Sequence, residues 1–369
     1  MLGKIIDIVL KKNWSGKDLK KYLGNYKATF LAYANNLEIR ENAASGGLTT
    51  TLLIEALKEK YCDGVVVCKS VIKEGKVRPI FFIAKKEEEI LSSQGSKYIE
   101  TDFLRVVPNL IRNFSGKIAV VGLPCDIKML KLIISKDESL KSKVVLTIAL
   151  FCGHNSRKEL IDNITRSLEN KTNSKIKDFI FRKGTWRGNM YAYFENGYIM
   201  KLASSYFNLY HNLFFFCQRK CLSCNDHFGY YSDISIGDIW LYRFRNDKIK
   251  KNSVIIRSDY GLNLFNKVKG ENLINSEKIN PELVLDGQTR IAPFHYNVSA
   301  RAKAGKLFGL KIVDKVNEKV NLNNLINAFI TILNIRLSEN KKLNKIIFLV
   351  PKFLLKICLY FKKALEVCK

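Results

Sequence analysis

The sequence predicts an α/β protein with a helical, basic extension at its carboxyl end. Short apolar runs with the pattern of strands alternate with segments of helical pattern from residue 28 onward. Two of these strands lead directly into the start of a helix, and residues 321–369 have helical periodicity. We expect a basic, weakly patterned lead-in over 1–27, a main domain over 28–290 and a helical basic extension over 291–369.

The elements of the main domain follow from the spacing of its apolar residues. Apolar or alternating runs predict strands over 28–34, 63–70, 76–85, 117–122, 143–151, 234–236 and 252–258, with further strands within 175–201. Helical patterns predict helices over 46–60, 102–113, 124–132, 203–216 and 260–270, and one that begins at about 157. Cys62 and Cys68 fall beside or within apolar runs, so we assign both to the core.

The composition combines a large apolar fraction with strong positive charge. The chain has 369 residues, of which 47% are apolar, so a sizeable core is available. Its 62 basic residues outnumber 34 acidic residues and give a formal net charge of +28. This charge favours anionic partners: nucleotide cofactors, acidic substrates, nucleic acid or an anionic membrane. The alternative is a solvated, lysine-rich surface.

The nine cysteines favour metal binding over disulfides. The first residues contain a short apolar run but no clear signal peptide with a small-residue cleavage site. Without an oxidising compartment, clustered cysteines more often bind metal. We therefore predict a cytoplasmic protein. No run of about 18 uninterrupted apolar residues occurs, so we expect no membrane-spanning helix.

The stretch CQRKCLSCN places Cys217, Cys221 and Cys224 in one loop. The C-x3-C-x2-C spacing brings three thiolates close together, as in zinc or iron–sulfur sites. A structural zinc or a closed cubane cluster needs four ligands. Further ligands must therefore come from elsewhere in the chain.

Two other cysteines lie where strands meet helices. Cys125 follows the strand over 117–122 at the start of a helix, and Cys152 follows the strand over 143–151. Ligands in α/β sheets gather at the carboxyl ends of strands, and a helix start stabilises a thiolate. Both cysteines are candidates to complete the cluster; the alternative is that they are inert buried thiols.

Three polar segments are candidates for binding an anionic cofactor. Ser45 is a candidate N-cap, after which two glycines open a helix whose free N–H groups can bind phosphate; an ordinary glycine-rich helix start is the favoured alternative. Lys97, in SQGSKY, either pairs with a phosphate or is an exposed loop lysine. The loop RKGTWRG over 182–188 suits an anionic aromatic cofactor or a plain hairpin connection.

Residues 341–369 combine eight lysines and one glutamate with interleaved Ile, Phe, Leu and Tyr. This basic amphipathic pattern is typical of segments that lie on a membrane surface, and Pro351 divides it. We expect a peripheral contact with the inner membrane face or with a membrane-bound partner. The alternative is that these helices pack on the main domain.

Seven motifs occur in one order along the chain: ASGG at 44–47, DGVVV at 63–67, SKY at 96–98, VVGLPCD at 120–126, LFCG at 150–153, FRKGTW at 181–186, and CLSCN with SDISIGDIW within 221–240. Each motif alone is weak. The ordered set resembles the coenzyme F420 hydrogenase/dehydrogenase beta-subunit family over roughly residues 28–290. The resemblance is closest to members associated with surface polysaccharide gene clusters.

This resemblance implies a mixed-sheet iron–sulfur flavoprotein core that binds FAD and a [4Fe–4S] cluster. In archaeal relatives the substrate is a deazaflavin, coenzyme F420. The resemblance implies that the cluster ligands are Cys125, Cys152, Cys221 and Cys224. It also implies a flavin and substrate pocket with Ser45, Gly46, Gly47, Ser96, Lys97 and Tyr98, and a matching basic loop with Arg182, Lys183 and Trp186.

The sequence departs from the family pattern at three places. No cysteine precedes Cys62, so we expect the amino-terminal ferredoxin module of many relatives to be missing. Asp126 stands where a glutamine is usual, and Arg187 stands where the family has the proline of Trp-Pro-Gly. These departures bear on the electron donor and on the substrate.

The leading hypothesis is an oxidoreductase in which FAD exchanges a hydride with coenzyme F420 or a similar soluble coenzyme. The cluster would exchange single electrons with a redox partner protein or ferredoxin, and no side-chain acid or base is required. One alternative is a non-enzymatic zinc protein that uses Cys217, Cys221, Cys224 and one other cysteine. Its basic surface would then bind nucleic acid, but the sequence contains no nucleic-acid-binding motif. Another keeps the fold but makes the chain an electron-transfer or scaffolding subunit.

Overall fold

The computed structural model describes Asp7 and residues 13–367. Within these residues the chain forms a mixed α/β structure with one large sheet, one small sheet and helices. The strands are β1 Ala28–Ala34, β2 Gly64–Lys73, β3 Lys76–Ala84, β4 Ile118–Gly122, β5 Val144–Leu150, β6 Ile176–Lys183, β7 Asn189–Phe194, β8 Ile199–Ala203, β9 Ile234–Asp238, β10 Asn252–Ile256 and β11 Ile274–Lys278.

The described α-helices precede, separate and follow these strands. They are α1 Gly16–Leu23, α2 Leu37–Asn42, α3 Leu48–Lys58, α4 Glu87–Ser92, α5 Phe103–Arg112, α6 Pro124–Ile134, α7 Glu138–Lys141, α8 Lys158–Thr172, α9 Ser205–Asn212, α10 Asp259–Gly270, α11 Pro281–Asp286, α12 Pro293–Tyr296, α13 Val298–Leu307, α14 Leu322–Glu339, α15 Leu343–Ile346 and α16 Lys352–Val367.

The large sheet has eight strands in the order β11-β1-β10-β9-β5-β4-β2-β3. Four consecutive strands, β9, β5, β4 and β2, are parallel to one another, and the remaining strands pair in antiparallel fashion. Parallel strands are covered on both faces, which explains apolar runs such as IAVVG in β4 and VVLTIAL in β5. The carboxyl ends of β4 and β5 therefore meet at one edge, where Cys125 and Cys152 follow.

Side chains alternate between the two faces along each strand, and helices pack against both faces of this sheet. In β2, Val65 and Val67 pack in the cluster that contains Leu52 of α3 and Leu264 of α10. Val66 points the other way and packs in the cluster that contains residues of α5 and α6. The small sheet, β6-β7-β8, is antiparallel and packs in a separate cluster with α8 and α9.

The predicted strands and helices are present, with ends that differ by a few residues. Helix α1 was not predicted, since its residues are basic and weakly patterned. Its signal is a capping box: the Ser15 hydroxyl accepts the Asp18 N–H, and the Asp18 carboxylate accepts the Ser15 N–H. The division of the chain at residues 27 and 290 stays a prediction.

The carboxyl-terminal helices pack on the rest of the chain along one face. Ile347 and Leu355 are buried in the cluster of the small sheet, and Ile332 of α14 shares a cluster with Cys217 and Cys221. The packing alternative is therefore confirmed for this face, while contact with a membrane stays a prediction. None of the described helices is long and apolar enough to cross a membrane.

A buried polar network fixes α16 to α14. The Lys362 ammonium donates to Asn327 Oδ1 at 2.5 Å, lies 3.5 Å from Glu366 Oε1 and lies over the Phe214 ring. Glu366 also accepts from Lys363 at 2.7 Å. Burial would raise the pKa of Glu366, but Lys363 and Lys362 lower it, so the carboxylate stays charged and paired.

We expect Lys362→Met to destabilise the folded protein by about 3 kcal/mol, because it removes one partner from a buried charge pair. Chemical denaturation followed by circular dichroism measures the change. Lys356→Met on the exposed side of the same helix is the matched control, with a change within about 0.5 kcal/mol. Equal stability of the two variants would show that the network does not hold α16.

Candidate functional site

Five cysteines from three segments converge at the carboxyl ends of β4 and β5. Cys125 lies in the first turn of α6, and Cys152 lies just after β5. Cys217, Cys221 and Cys224 come from the loop between α9 and β9. Besides burial, the largest cause, three neighbouring thiols raise the pKa of Cys152: those of Cys125, Cys221 and Cys224. The structure thus brings the four predicted ligands together; metal binding by them stays a prediction.

Burial keeps most of these thiols protonated. It raises the pKa of Cys125 and Cys152 well above the usual range and that of Cys224 to about 11. Cys221 is the exception, because a hydrogen bond from the Cys217 thiol lowers its pKa. A metal would have to displace these protons, which makes metal binding dependent on pH.

Cys217 adjoins this group but is more enclosed than the others. Its side chain is 0% exposed and packs in a cluster with Leu222 and Ala300. Its thiol lies 3.5 Å from the Gln218 carbonyl oxygen and also faces Cys221, and its one S–H donates to only one of these two acceptors at a time. This position suits a hydrogen-bond donor to Cys221 rather than a shared ligand.

The buried guanidinium of Arg301 holds the cysteine loop. Its side chain is 2% exposed and donates to the carbonyls of Leu222 at 2.9 Å, Cys224 at 3.5 Å and Phe294. Burial lowers the pKa of Arg301 to about 10, and the thiols of the loop oppose this shift. Because a buried cation is costly without nearby negative charge, Arg301 favours thiolates in this loop.

Two buried histidines connect the loop to the segment after β5. The His295 ring nitrogens lie 2.7 Å from the Gly153 carbonyl oxygen and 3.2 Å from that of Cys224. His227 Nδ1 lies 2.9 Å from the Cys152 carbonyl oxygen. Burial lowers the pKa of His227 to about 4 and that of His295 to about 3, so both rings are neutral. A neutral imidazole carries one N–H, so His295 donates to one of its two carbonyl neighbours and only contacts the other. Sequence analysis missed Arg301 and both histidines, since no local pattern signals contacts to carbonyls 71 to 142 residues away.

An open groove of about 630 Å³ lies beside the cysteine loop. Lys220 lines the groove and lies beside the thiols. Burial alone would lower the pKa of Lys220, but the neighbouring Cys125, Asp126 and Cys221 outweigh burial and raise it. The groove is therefore an approach from solvent to the thiols. Its lining residues carry both signs of charge and are Glu100, Thr101, Asp102, Arg157, Gln218, Arg219, Lys220 and Glu339.

The helix after Ser45 begins later than predicted. Its N-cap is Gly47, in the left-handed conformation at φ 81°, and the prediction that Ser45 is the N-cap is wrong. The Ser45 hydroxyl instead donates to the Lys251 carbonyl at 3.1 Å. The first helical N–H, that of Leu48, donates to Asn252 Oδ1 at 3.3 Å. A side chain of β10 thus satisfies a group that we expected to face a phosphate.

Gly46 is required by close packing of backbone segments. A Cβ at this position would lie 2.7 Å from Asn252 Oδ1 and 3.0 Å from the carbonyl oxygens of Ala32 and Lys250. Gly46 and Gly47 are both buried. Packing accounts for both glycines, and their role in binding a cofactor stays a prediction.

Three predicted cofactor residues, Ser45, Arg182 and Trp186, line a narrow cleft of about 10 Å³. The Arg182 guanidinium donates to both carboxylate oxygens of Asp238, at 2.7 and 3.0 Å, and to the Trp186 carbonyl at 2.7 Å. Tyr98 also contacts Arg182. The cleft is too small to accept a flavin without opening.

The other predicted cofactor residues do not line this cleft: Gly46, Gly47, Ser96, Lys97, Tyr98 and Lys183. The Lys97 ammonium donates to the carbonyls of Ser93, Gln94 and Gly95 and lies near Cys68. Burial lowers the pKa of Lys97 to about 8. The alternative of an exposed loop lysine is therefore wrong.

The cleft carries more positive charge than the sequence indicated. Arg187 and Arg290 lie 5.2 and 5.6 Å from the centre of the Trp186 ring. Lys250 lines the cleft, and burial together with Arg182 lowers its pKa to about 8. Among the described residues, Nε of Arg182 and Nε1 of Trp186 are buried without a hydrogen-bond partner. These features suit an anionic ligand with hydrogen-bond acceptors.

The fold and these residues define a mixed α/β protein with a cysteine-rich centre beside the strand ends. Two family models assign it further. Coenzyme F420 hydrogenase/dehydrogenase, beta subunit N-term, matches residues 29–108, and the corresponding C-terminus model matches residues 115–282. Together they cover more than half of the chain, so the protein belongs to the coenzyme F420 hydrogenase/dehydrogenase beta-subunit family. The resemblance seen in the sequence is confirmed, and a redox role in general is supported.

Individual relatives are distant in sequence. The chain is 25% identical to the coenzyme F420 hydrogenase subunit beta of Methanosarcina barkeri, over 72% of this chain and 87% of the relative. It is 24% identical to the protein of the same name from Methanococcus voltae, over 70% and 86%. It is 20% identical to rice chloroplastic 7-hydroxymethyl chlorophyll a reductase, over 68% and 51%.

A solved structure shares the fold. A chain of the F420-reducing [NiFe] hydrogenase complex from Methanosarcina barkeri superimposes with a TM-score of 0.60 at 20% identity. The superposition covers 80% of this chain and 98% of that chain. The predicted mixed α/β class is thereby confirmed.

We expect Gly46→Ala to destabilise the protein by about 1 to 3 kcal/mol, because the new methyl group overlaps the Asn252 amide and two backbone oxygens. Urea denaturation measures the loss. Gly270→Ala is the matched control, because a Cβ there meets nothing within 4 Å. A Gly46 variant as stable as this control would contradict the packing role.

Proposed function

We propose that this protein is an iron–sulfur flavoprotein oxidoreductase. Cys125, Cys152, Cys221 and Cys224 would hold a [4Fe–4S] cluster, and the cationic cleft at Trp186 would hold part of FAD. When bound, FAD supplies hydride exchange with coenzyme F420 or a similar soluble coenzyme, and the cluster supplies one-electron exchange with a partner protein. The predicted cytoplasmic location stays part of this proposal.

The convergence of four thiols from three segments carries the proposal. Neighbouring thiols and the buried Arg301 supply the donor set and the compensating charge that an anionic cluster needs. Membership of the coenzyme F420 hydrogenase/dehydrogenase beta-subunit family supports an iron–sulfur cluster over the alternative of a single zinc.

In the cleft, the chain's own groups would bind and orient an anionic aromatic cofactor. Arg182 is fixed by Asp238, so its direction is set before a ligand arrives. Arg187 and Arg290 add positive charge on the Trp186 ring. Binding requires the cleft to widen, and Arg187 lies exposed beside the Trp186 ring.

The relatives support the redox assignment and a protein partner. Two are named as subunits of coenzyme F420 hydrogenase, and the chain of similar fold is part of a hydrogenase complex. We infer that a redox partner protein or ferredoxin exchanges electrons with this chain. The alternative of an electron-transfer subunit without its own substrate predicts bound flavin that neither coenzyme F420 nor a nicotinamide donor reduces.

We expect Cys221→Ser to lose its cluster, because a serine hydroxyl does not replace a thiolate ligand for iron. Iron and acid-labile sulfide analysis of anaerobically purified protein measures the loss. Cys217→Ser is the matched control and should retain about four irons per chain, as expected for one [4Fe–4S] cluster. Full iron content in the Cys221 variant, or loss in the Cys217 variant alone, would replace the proposed ligand set.

We expect Arg187→Gln to weaken FAD binding about fivefold to tenfold, because it removes one positive charge beside Trp186. Fluorescence titration of flavin-free protein measures the affinity. Arg166→Gln, an exposed arginine on α8, is the control and should bind FAD normally. Equal affinities would place the flavin elsewhere.

A further inference from the structure

Exposed apolar side chains concentrate in the carboxyl-terminal helices. More than half of the exposed large apolar residues in the described part of the chain lie between residues 322 and 361. On α16 their exposed fractions range from 46% to 71%. At 100° per residue they fall within an arc of about 120°. We call this the apolar face of α16; it consists of Phe353, Leu354, Ile357, Tyr360 and Phe361.

The opposite side of α16 packs on the rest of the chain. The apolar face is therefore not the side through which this helix packs. Leu355 is buried, and Lys362 is held by Asn327 and Glu366. The helix is therefore fixed with its apolar face toward solvent. Such contiguous apolar surface on a folded protein marks an interaction site.

The charge around this face is positive. Lys352 and Lys356 lie along one edge of the apolar arc, and Lys345 precedes the helix. The single acidic residue of 341–367, Glu366, is turned inward and paired with Lys362 and Lys363. The segment therefore offers apolar area and lysines to solvent with no exposed acid.

We propose that the apolar face of α16 rests on a bilayer surface of anionic lipid. Such a surface accepts aromatic and aliphatic side chains below its headgroups and attracts lysines at its edge. A second copy of this chain would bring lysines against lysines, and a nucleic acid would leave the apolar stripe exposed. The helix lies on the surface, since no described helix is able to span.

The test uses the full chain and vesicles of phosphatidylglycerol with phosphatidylcholine, compared with phosphatidylcholine alone. Sedimentation at low salt measures binding. We expect binding to the anionic vesicles and little to the neutral ones. The variant Phe353→Ser, Ile357→Ser, Phe361→Ser should lose binding at least tenfold, because it removes three exposed apolar side chains that would insert below the headgroups. Tyr198→Ser, Ile199→Ser is the control, since both residues are about as exposed and lie outside the carboxyl-terminal helices, where β7 turns into β8.

A second pair of variants tests the charge. Lys352→Gln, Lys356→Gln should weaken binding about fivefold per lysine and reduce its dependence on salt. The control is Lys177→Gln, Lys201→Gln, which replaces two exposed lysines of the small sheet and lowers the net charge by the same amount. Circular dichroism and the iron and flavin content should stay unchanged in all four variants, so this outcome is independent of the proposed redox function.

Three results would overturn the proposal. The first is equal binding of the wild-type protein to neutral and anionic vesicles or to neither. The second is full binding by the Phe353, Ile357, Phe361 variant. The third is a wild-type protein that is a dimer and a Phe353, Ile357, Phe361 variant that is a monomer, as measured by light scattering. That result would make the face a contact between copies.

Discussion

The cysteine loop has little regular secondary structure, and its buried carbonyl groups need donors from elsewhere. Arg301 meets much of this need, because one guanidinium donates to carbonyls of the loop and of α12. His295 bridges the loop and the segment after β5. Both residues come after the last strand of the large sheet, His295 in α12 and Arg301 in α13. The site therefore combines cysteines at the strand ends with buried polar residues from the helices that follow the sheet.

The two candidate sites differ in how far they are preformed. The four thiols are already neighbours, whereas the cleft at Trp186 is narrow and must widen to accept a cofactor. The segment SKY lies between the two sites. Lys97 lies near Cys68, which in turn lies near Asp126, while Tyr98 contacts Arg182. Consecutive residues thus contact groups beside each of the two candidate sites.

The carboxyl-terminal helices have two functions in the structure that their sequence alone does not separate. One face contributes Ile332, Ile335 and Leu355 to cores that include Cys217 and the small sheet. The other presents apolar side chains and lysines to solvent. Truncation of these helices would therefore disturb the cysteine loop together with any surface contact, which is why substitutions on the exposed face separate the two.

The sequence by itself determined the strands, their apolar runs and the ordered motifs that identify the family, because these depend on local pattern and spacing. It also selected Cys125 and Cys152, since strand ends in a parallel sheet meet at one edge. It misplaced the start of α3, because Asn252 of a distant strand and the conformation of Gly47 set it. Only the tertiary structure decided that Arg301, His227 and His295 support the cysteine loop, and that Arg290 and Lys250 join Arg182 at the cleft. These contacts join residues far apart in sequence, and a buried polar group finds its partner only when the packed chain brings the two together.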